Sequence, residues 1–253
     1  MILHRWLSLR RSKSNITKSN FIVLSCFGLL FAVLQFLFLS LAEAQTYNKI
    51  EFVYNIEQMK GHLEQAIVNK ENGNKTLTQA HIQHPIVEIY DAIEVQLASV
   101  DSNHNTLLFN SLSQLSKNAD NLNLAQFEQE TNGVNQKLDK ASDLVAPGDN
   151  STITLIVASW LLDAANAEYE SGVRSGKIIQ IVEYQDAMGF ISRSEALLNS
   201  TLPTLNQSMK VTGNEALNLY PQLDSKVQTM ADINDIYTIT SEIKQKIANI
   251  TGF

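Results

Sequence analysis

Ile50, Val53, Ile56, Leu63 and Ile67 recur at intervals of three, four and seven residues, which is the period of one helix face. The same spacing continues with interruptions to the end of the chain, and no run of alternating β-branched residues breaks it. The chain therefore reads as all-α. The segment "KENGNKT" closes the first helix at Gly73, because glycine enters the left-handed backbone region that ends a helix. A second helix is expected from about Thr76 to Val100, a third over His104 to Lys117 and a fourth over Leu124 to Val145. Pro147-Gly148 marks the clearest internal boundary, with Asn150 or Ser151 placed to cap a fifth helix over about Thr152 to Arg174. A sixth follows from about Lys177 to Asn199, and a last one covers roughly Gln222 to Ile250. Connections this short favour antiparallel neighbours, so the expected architecture is an up-and-down helical bundle.

The bundle is expected to occupy residues 45–253, behind two segments of different composition. Residues 1–20 hold five basic residues and no acid, and residues 21–42, "FIVLSCFGLLFAVLQFLFLSLA", are almost wholly apolar. As a helix those residues would rise about 33 Å, enough to cross a bilayer. They are read as a transmembrane anchor or, with Ala42 and Ala44 before Gln45, as a cleaved signal. Either reading leaves the basic end in the cytoplasm and the bundle outside it. The protein is then a single-pass membrane protein with an extracytoplasmic domain, or is secreted if cleaved. Cys26, the one cysteine, lies in the apolar segment, so the bundle must be held by packing without disulfides. The pattern Asn-x-Ser/Thr at Asn74, Asn150, Asn199, Asn206 and Asn249 fits a glycoprotein. From Gln45 onward the net charge is near −11, from 14 basic against 25 acidic residues. Nucleic acid is not an expected partner for such a surface.

Candidate ligands concentrate in three stretches. In "HIQHPIVEIYDAIE", residues 81–94, Ile82, Ile86, Ile89, Tyr90, Ile93 and Leu97 share one face, and His81, His84, Glu88 and Asp91 form the opposite stripe. His81 and His84 at i, i+3, and His84 and Glu88 at i, i+4, are spaced so that neighbouring side chains can converge on one ion, and imidazole with carboxylate suits zinc or non-haem iron. Solvent exposure alone also produces such a stripe. Pro85 removes a backbone hydrogen bond, so the helix either restarts near His84 or kinks there. In "GKIIQIVEYQDAMGFISR", Glu183, Asp186 and Arg193 lie among Ile179, Phe190 and Leu197. Buried charges need partners or a metal, so these residues form either an ion network with Arg193 or part of a ligand set. In "WLLDAANAEYESGVR", Leu161, Ala165, Tyr169 and Val173 face inward, Glu168 lies at the edge, and Glu170 with Arg174 is spaced for a surface pair. Facing helices can aim such side chains into one layer, and His84, Glu88, Glu168, Glu183 and Asp186 are the expected metal ligands. His62 and His104 read as surface or satisfied core residues, and Trp160 as core or interface.

Phosphate loops, nucleophile elbows, the His-Glu-x-x-His motif and a cysteine nucleophile are all missing, so no enzyme is expected. Across residues 76–198, "AHIQHPIVEIYDAIEVQL" followed by "LLDAANAEYESGVRSGKIIQIVEYQDAMGFISRSEALL" resembles the exported helical domain associated with iron-permease-family transporters. Glu183 to Phe190 is the most specific part. The resemblance implies iron handling next to a membrane transporter. The paired Arg-Glu-x-x-Glu motifs of the permeases are missing, so the expected role is accessory. The His-x-x-Glu signature of imelysin-like iron proteins is matched less well, because His84 and Glu88 stand one residue further apart. The expectation is thus an extracytoplasmic domain that binds iron or another divalent ion for membrane uptake or sensing. The rival reading is a structural or protein-interaction module of the cell surface. A small-ligand sensor is a third, weakened by a cytoplasmic portion of only about 20 residues.

Overall fold

The computed structural model describes residues 44–148 and 151–253. The chain divides into two compact units, Met1–Asn48 and Lys49–Phe253. In the first unit only residues 44–48 are described, and they are helical. The expected anchor or signal at 21–42 lies outside the described residues, as does the basic segment before it. No helix among the described residues is long and apolar enough to cross a membrane.

Among the described residues, the second unit is helical apart from turns and one small hairpin. Helix α1 covers residues 49–71, followed by α2 (Lys75–His84), a π-helical turn (Pro85–Ile89), α3 (Tyr90–Asn118) and α4 (Leu124–Val145). After the Pro147-Gly148 break come α5 (Ser151–Gly172), strands β1 (Val173–Arg174) and β2 (Lys177–Ile178), α6 (Ile181–Thr201), and a 3-10 turn (Leu202–Thr204). Helices α7 (Gln207–Leu217), α8 (Tyr220–Gln228) and α9 (Ile233–Thr251) complete the chain. Side-chain oxygens of Asn74, Asn123, Asn206 and Asp232 cap α2, α4, α7 and α9, which satisfies amide groups that a helix start leaves unpaired. Asn150, one expected cap of α5, lies outside the described residues, and Ser151 bonds Thr204 by its hydroxyl at 2.8 Å.

Several boundaries differ from the sequence reading for identifiable reasons. Lys177 belongs to a strand and not to a helix, because Ser175 and Gly176 both take positive φ, 51° and 69°. That pair makes the two-residue turn that closes a hairpin, with Val173 opposite Ile178 and Arg174 opposite Lys177. Glu170 accepts from Tyr237 Oη at 2.9 Å, so the expected Glu170–Arg174 pair does not form. The expected break between the second and third helices is present inside α3: Asp101 leaves the helical backbone region (φ −151°, ψ 94°), and its carboxylate accepts the His104 amide at 2.9 Å as a cap of the turn that follows. The last expected helix is split, since Met230 turns left-handed (φ 51°) and Asp232 starts α9 afresh.

Two apolar cores hold the unit together. One joins Phe52, Ile56, Met59, Leu63 and Ala66 of α1 to Ile82, Ile89, Tyr90, Ile93 and Leu97, and to α3 and α4. The other is built from α5 to α9, with Ile50 of α1 joining it. Trp160 packs edge-on against Tyr54 at 5.7 Å beside the second core. Helix α1 thus has one side in each core. It meets α6 where Gly61 faces Gly189: a Cβ on Gly189 would lie 2.6 Å from the Gly61 carbonyl oxygen. Only hydrogen at both positions permits that approach.

Candidate metal centre

The glycine crossing brings two buried polar side chains together. His62 follows Gly61 on α1 and stacks edge-on against Phe190 of α6, ring centroids 5.1 Å apart. Asp186, one turn before Phe190, is only 1% exposed. The His62 Nδ1 to Asp186 Oδ1 distance is 2.6 Å. Helix α2 adds His81, with Nδ1 2.9 Å from the same oxygen and Nε2 2.8 Å from Gln185 Oε1. His84 adds a third imidazole, Nδ1 lying 3.2 Å from Asp186 Oδ2. That nitrogen is buried and close to the carboxylate but not aligned for a hydrogen bond, so it stands without a partner. One carboxylate is therefore surrounded by three imidazoles from two helices. A π turn follows directly after His84. Pro85 has no N–H, and its carbonyl accepts from Tyr90, five residues on, which widens the helix by one residue just past the pair.

Burial pushes the Asp186 carboxyl up, but the three imidazoles beside it, of His62, His81 and His84, outweigh burial and hold the group well below the usual carboxylate range. Burial lowers His62 against the pull of Asp186. Asp186 beside it raises His84 more than partial burial lowers it. At the rim, burial and then the charges of Glu183 and Asp186 push Glu168 up to about 7. The Glu183 side chain also hydrogen-bonds it.

The structure sorts the expected ligands. His84 and Asp186 are brought together. Glu168 and Glu183 meet each other near Asp186. Glu88 lies 3.7 Å from His84 Nε2 with its side chain 59% exposed, at the mouth and outside the inner group. The stripe on residues 81–91 is not a uniformly wet face: His81 is 0% exposed, whereas Asp91 is exposed. The expected ion network of Glu183 or Asp186 with Arg193 does not form, because Arg193 pairs with Glu57 and Glu64 of α1 at 2.5 and 3.0 Å. His62, read as a surface or satisfied core residue, is a buried, hydrogen-bonded core residue that also lies in the inner group, whereas His104 stands apart, its Nε2 donating to the Lys137 carbonyl at 2.9 Å. The signal for His62 was its neighbour Gly61 together with Gln65 and Asn69, a polar line at helical spacing; all three polar residues are buried.

His62, His84 and Asp186 present ligand atoms within 4.8 Å of one another, a set that could hold a metal ion. Fold and site together define a class: a helical bundle with a buried histidine–carboxylate centre at the seam of two cores. Residues 147–253 match the family model described as the iron permease-associated 4-helix bundle domain. The match supports the resemblance to iron-permease-associated proteins read from the sequence, over the C-terminal part of the chain. It includes Glu168, Glu183 and Asp186 but none of the three histidines. No curated protein and no solved structure matches the chain.

Proposed function

We propose that the protein is an extracytoplasmic, non-enzymatic domain that captures a divalent metal ion, iron, as an accessory to a membrane transporter. The observation that carries this reading is the enclosure of Asp186 by His62, His81 and His84, three imidazoles converging on one carboxylate. Histidine with carboxylate is a donor set suited to first-row divalent ions, and the matched domain supplies the link to iron permeases. His62, His84 and Asp186 would hold the ion. Glu168, Glu183 and Glu88 would form an acidic mouth that concentrates cations before they reach the inner ligands. The role is capture and release, and the candidate ligands catalyse no turnover.

Anaerobic calorimetric titration of the full chain, purified in detergent, with Fe(II) and with Zn(II) tests this. Saturable binding of one equivalent, lost in His62→Ala and Asp186→Ala, is the expected result. A wild-type protein that takes up neither ion overturns the reading.

A further inference from the structure

Asn69 and Gln185 decide which nitrogen of His81 carries hydrogen. The main-chain oxygen of Gln65 can only accept, so the Asn69 group 2.8 Å from it is the amide NH2. That NH2 also lies 2.9 Å from Gln185, so the Gln185 atom facing it is the oxygen. The Gln185 NH2 returns a longer bond of 3.3 Å to Asn69 Oδ1, closing an amide pair. Gln185 Oε1 is thus an acceptor, 2.8 Å from His81 Nε2, and Nε2 bears the hydrogen. In a neutral ring the other nitrogen then holds a lone pair. That nitrogen, Nδ1, is 2.9 Å from Asp186 Oδ1. Two lone pairs at this distance repel, and a proton or a metal cation shared between them reverses the sign. No solvent is at hand to separate them, because His81 is 0% exposed.

We propose that His81 is itself a ligand of the ion, through Nδ1, so that the centre is His62, His81, His84 and Asp186, with Gln185 and Asn69 fixing the tautomer. This rests on the metal reading above. Metal-bound histidines characteristically donate their other N–H to an oxygen acceptor, which is the arrangement Gln185 provides. Ring positions are compatible with a shared ion. The centroids of His62 and His84 lie 4.9 Å apart, those of His81 and His84 6.1 Å, and those of His62 and His81 6.4 Å. Three imidazoles on one tetrahedral ion would sit with centroids about 5 Å apart, so only His81 has to move, by roughly 1 Å. With four protein ligands the shell is closed on its inner side. Exchange then passes His84, whose side chain is 19% exposed while those of His62, His81 and Asp186 are 5% or less.

The test uses the full chain in detergent with Co(II) as the probe, reading visible absorption and affinity while circular dichroism and melting monitor folding. Wild type is expected to bind one Co(II) with the intense bands of four-coordinate geometry. His81→Ala should lose those bands and weaken binding about 100-fold, and Gln185→Ala, which keeps every ligand, should weaken it about 10-fold. His81→Ala that folds and retains the wild-type spectrum and affinity overturns the proposal while leaving the three-ligand metal reading intact. Should His81→Ala fail to fold, Gln185→Ala decides alone, and unchanged Co(II) affinity and spectrum in it overturn the proposal. Absence of Co(II) binding in wild type overturns both.

Discussion

Glu168 carries a prediction that needs no metal. Its folded pKa is raised from 4.5 to about 7, first by burial and then by Glu183 and Asp186. A raised carboxyl contributes stability that is fully present below the unfolded value and is lost as pH rises through the folded one. The metal-free protein should therefore lose stability between about pH 4.5 and 7 from this group. The side chain is only about half buried, so solvent screening cuts the effect to about 1 kcal/mol. Glu168→Gln should flatten that part of a urea-denaturation pH series, and an unchanged slope would refute the assignment. At this scale the sequence was half legible. Asp186 stood out as a charge among large apolar residues, and His84 by its helical spacing to His81 and Glu88, though each also had a bland reading as an ion pair or a solvated stripe. His62 did not, and His81 was seen in the stripe but left out of the ligand set, because a helical wheel cannot distinguish a polar stripe facing water from one facing another polar stripe. That distinction is made only when α1, α2 and α6 meet.

Among elements, the α1–α6 crossing is the most sensitive. A methyl group on Gly189 would lie 2.6 Å from the Gly61 oxygen and 3.2 Å from Gln65 Cγ, with backbone on one side and little to yield. Gly189→Ala should force the helices apart and cost about 2 kcal/mol in chemical denaturation. It should also lower metal affinity, since His62 and Asp186 sit within one turn of the contact on either helix. Gly133→Ala is the control: a Cβ there meets nothing within 4 Å, and helix propensity favours alanine. Equal stability losses in the two variants would sink the argument. Several helix ends were readable, because Pro147-Gly148 and Gly73 act through local backbone chemistry. The π turn was not. Pro85 announced a disturbance, but whether a helix kinks, restarts or widens depends on what Ile89 and Tyr90 pack against.

For the whole molecule, the family match and the candidate site do not coincide. Residues 147–253 contain α5 to α9 and nearly all of one core, so that fragment alone should keep a helical circular dichroism spectrum. It lacks His62, His81 and His84, and should show no saturable Co(II) binding by calorimetry. Binding equal to that of the full chain would move the site away from Asp186. The all-α class was legible from period alone, whereas the division into two cores was not, because α1 carries apolar residues for both and reads as one amphipathic helix. The seam has a further consequence in time. His62 and Asp186 are 124 residues apart in the chain, and contacts of such separation form late, after the loop between them has been closed at an entropic cost. A chain still emerging, or one threaded through a pore as an extended strand, has scattered donors and no site. On the proposed metal reading, an ion is therefore admitted only by a finished molecule, and its possession would certify that folding is complete.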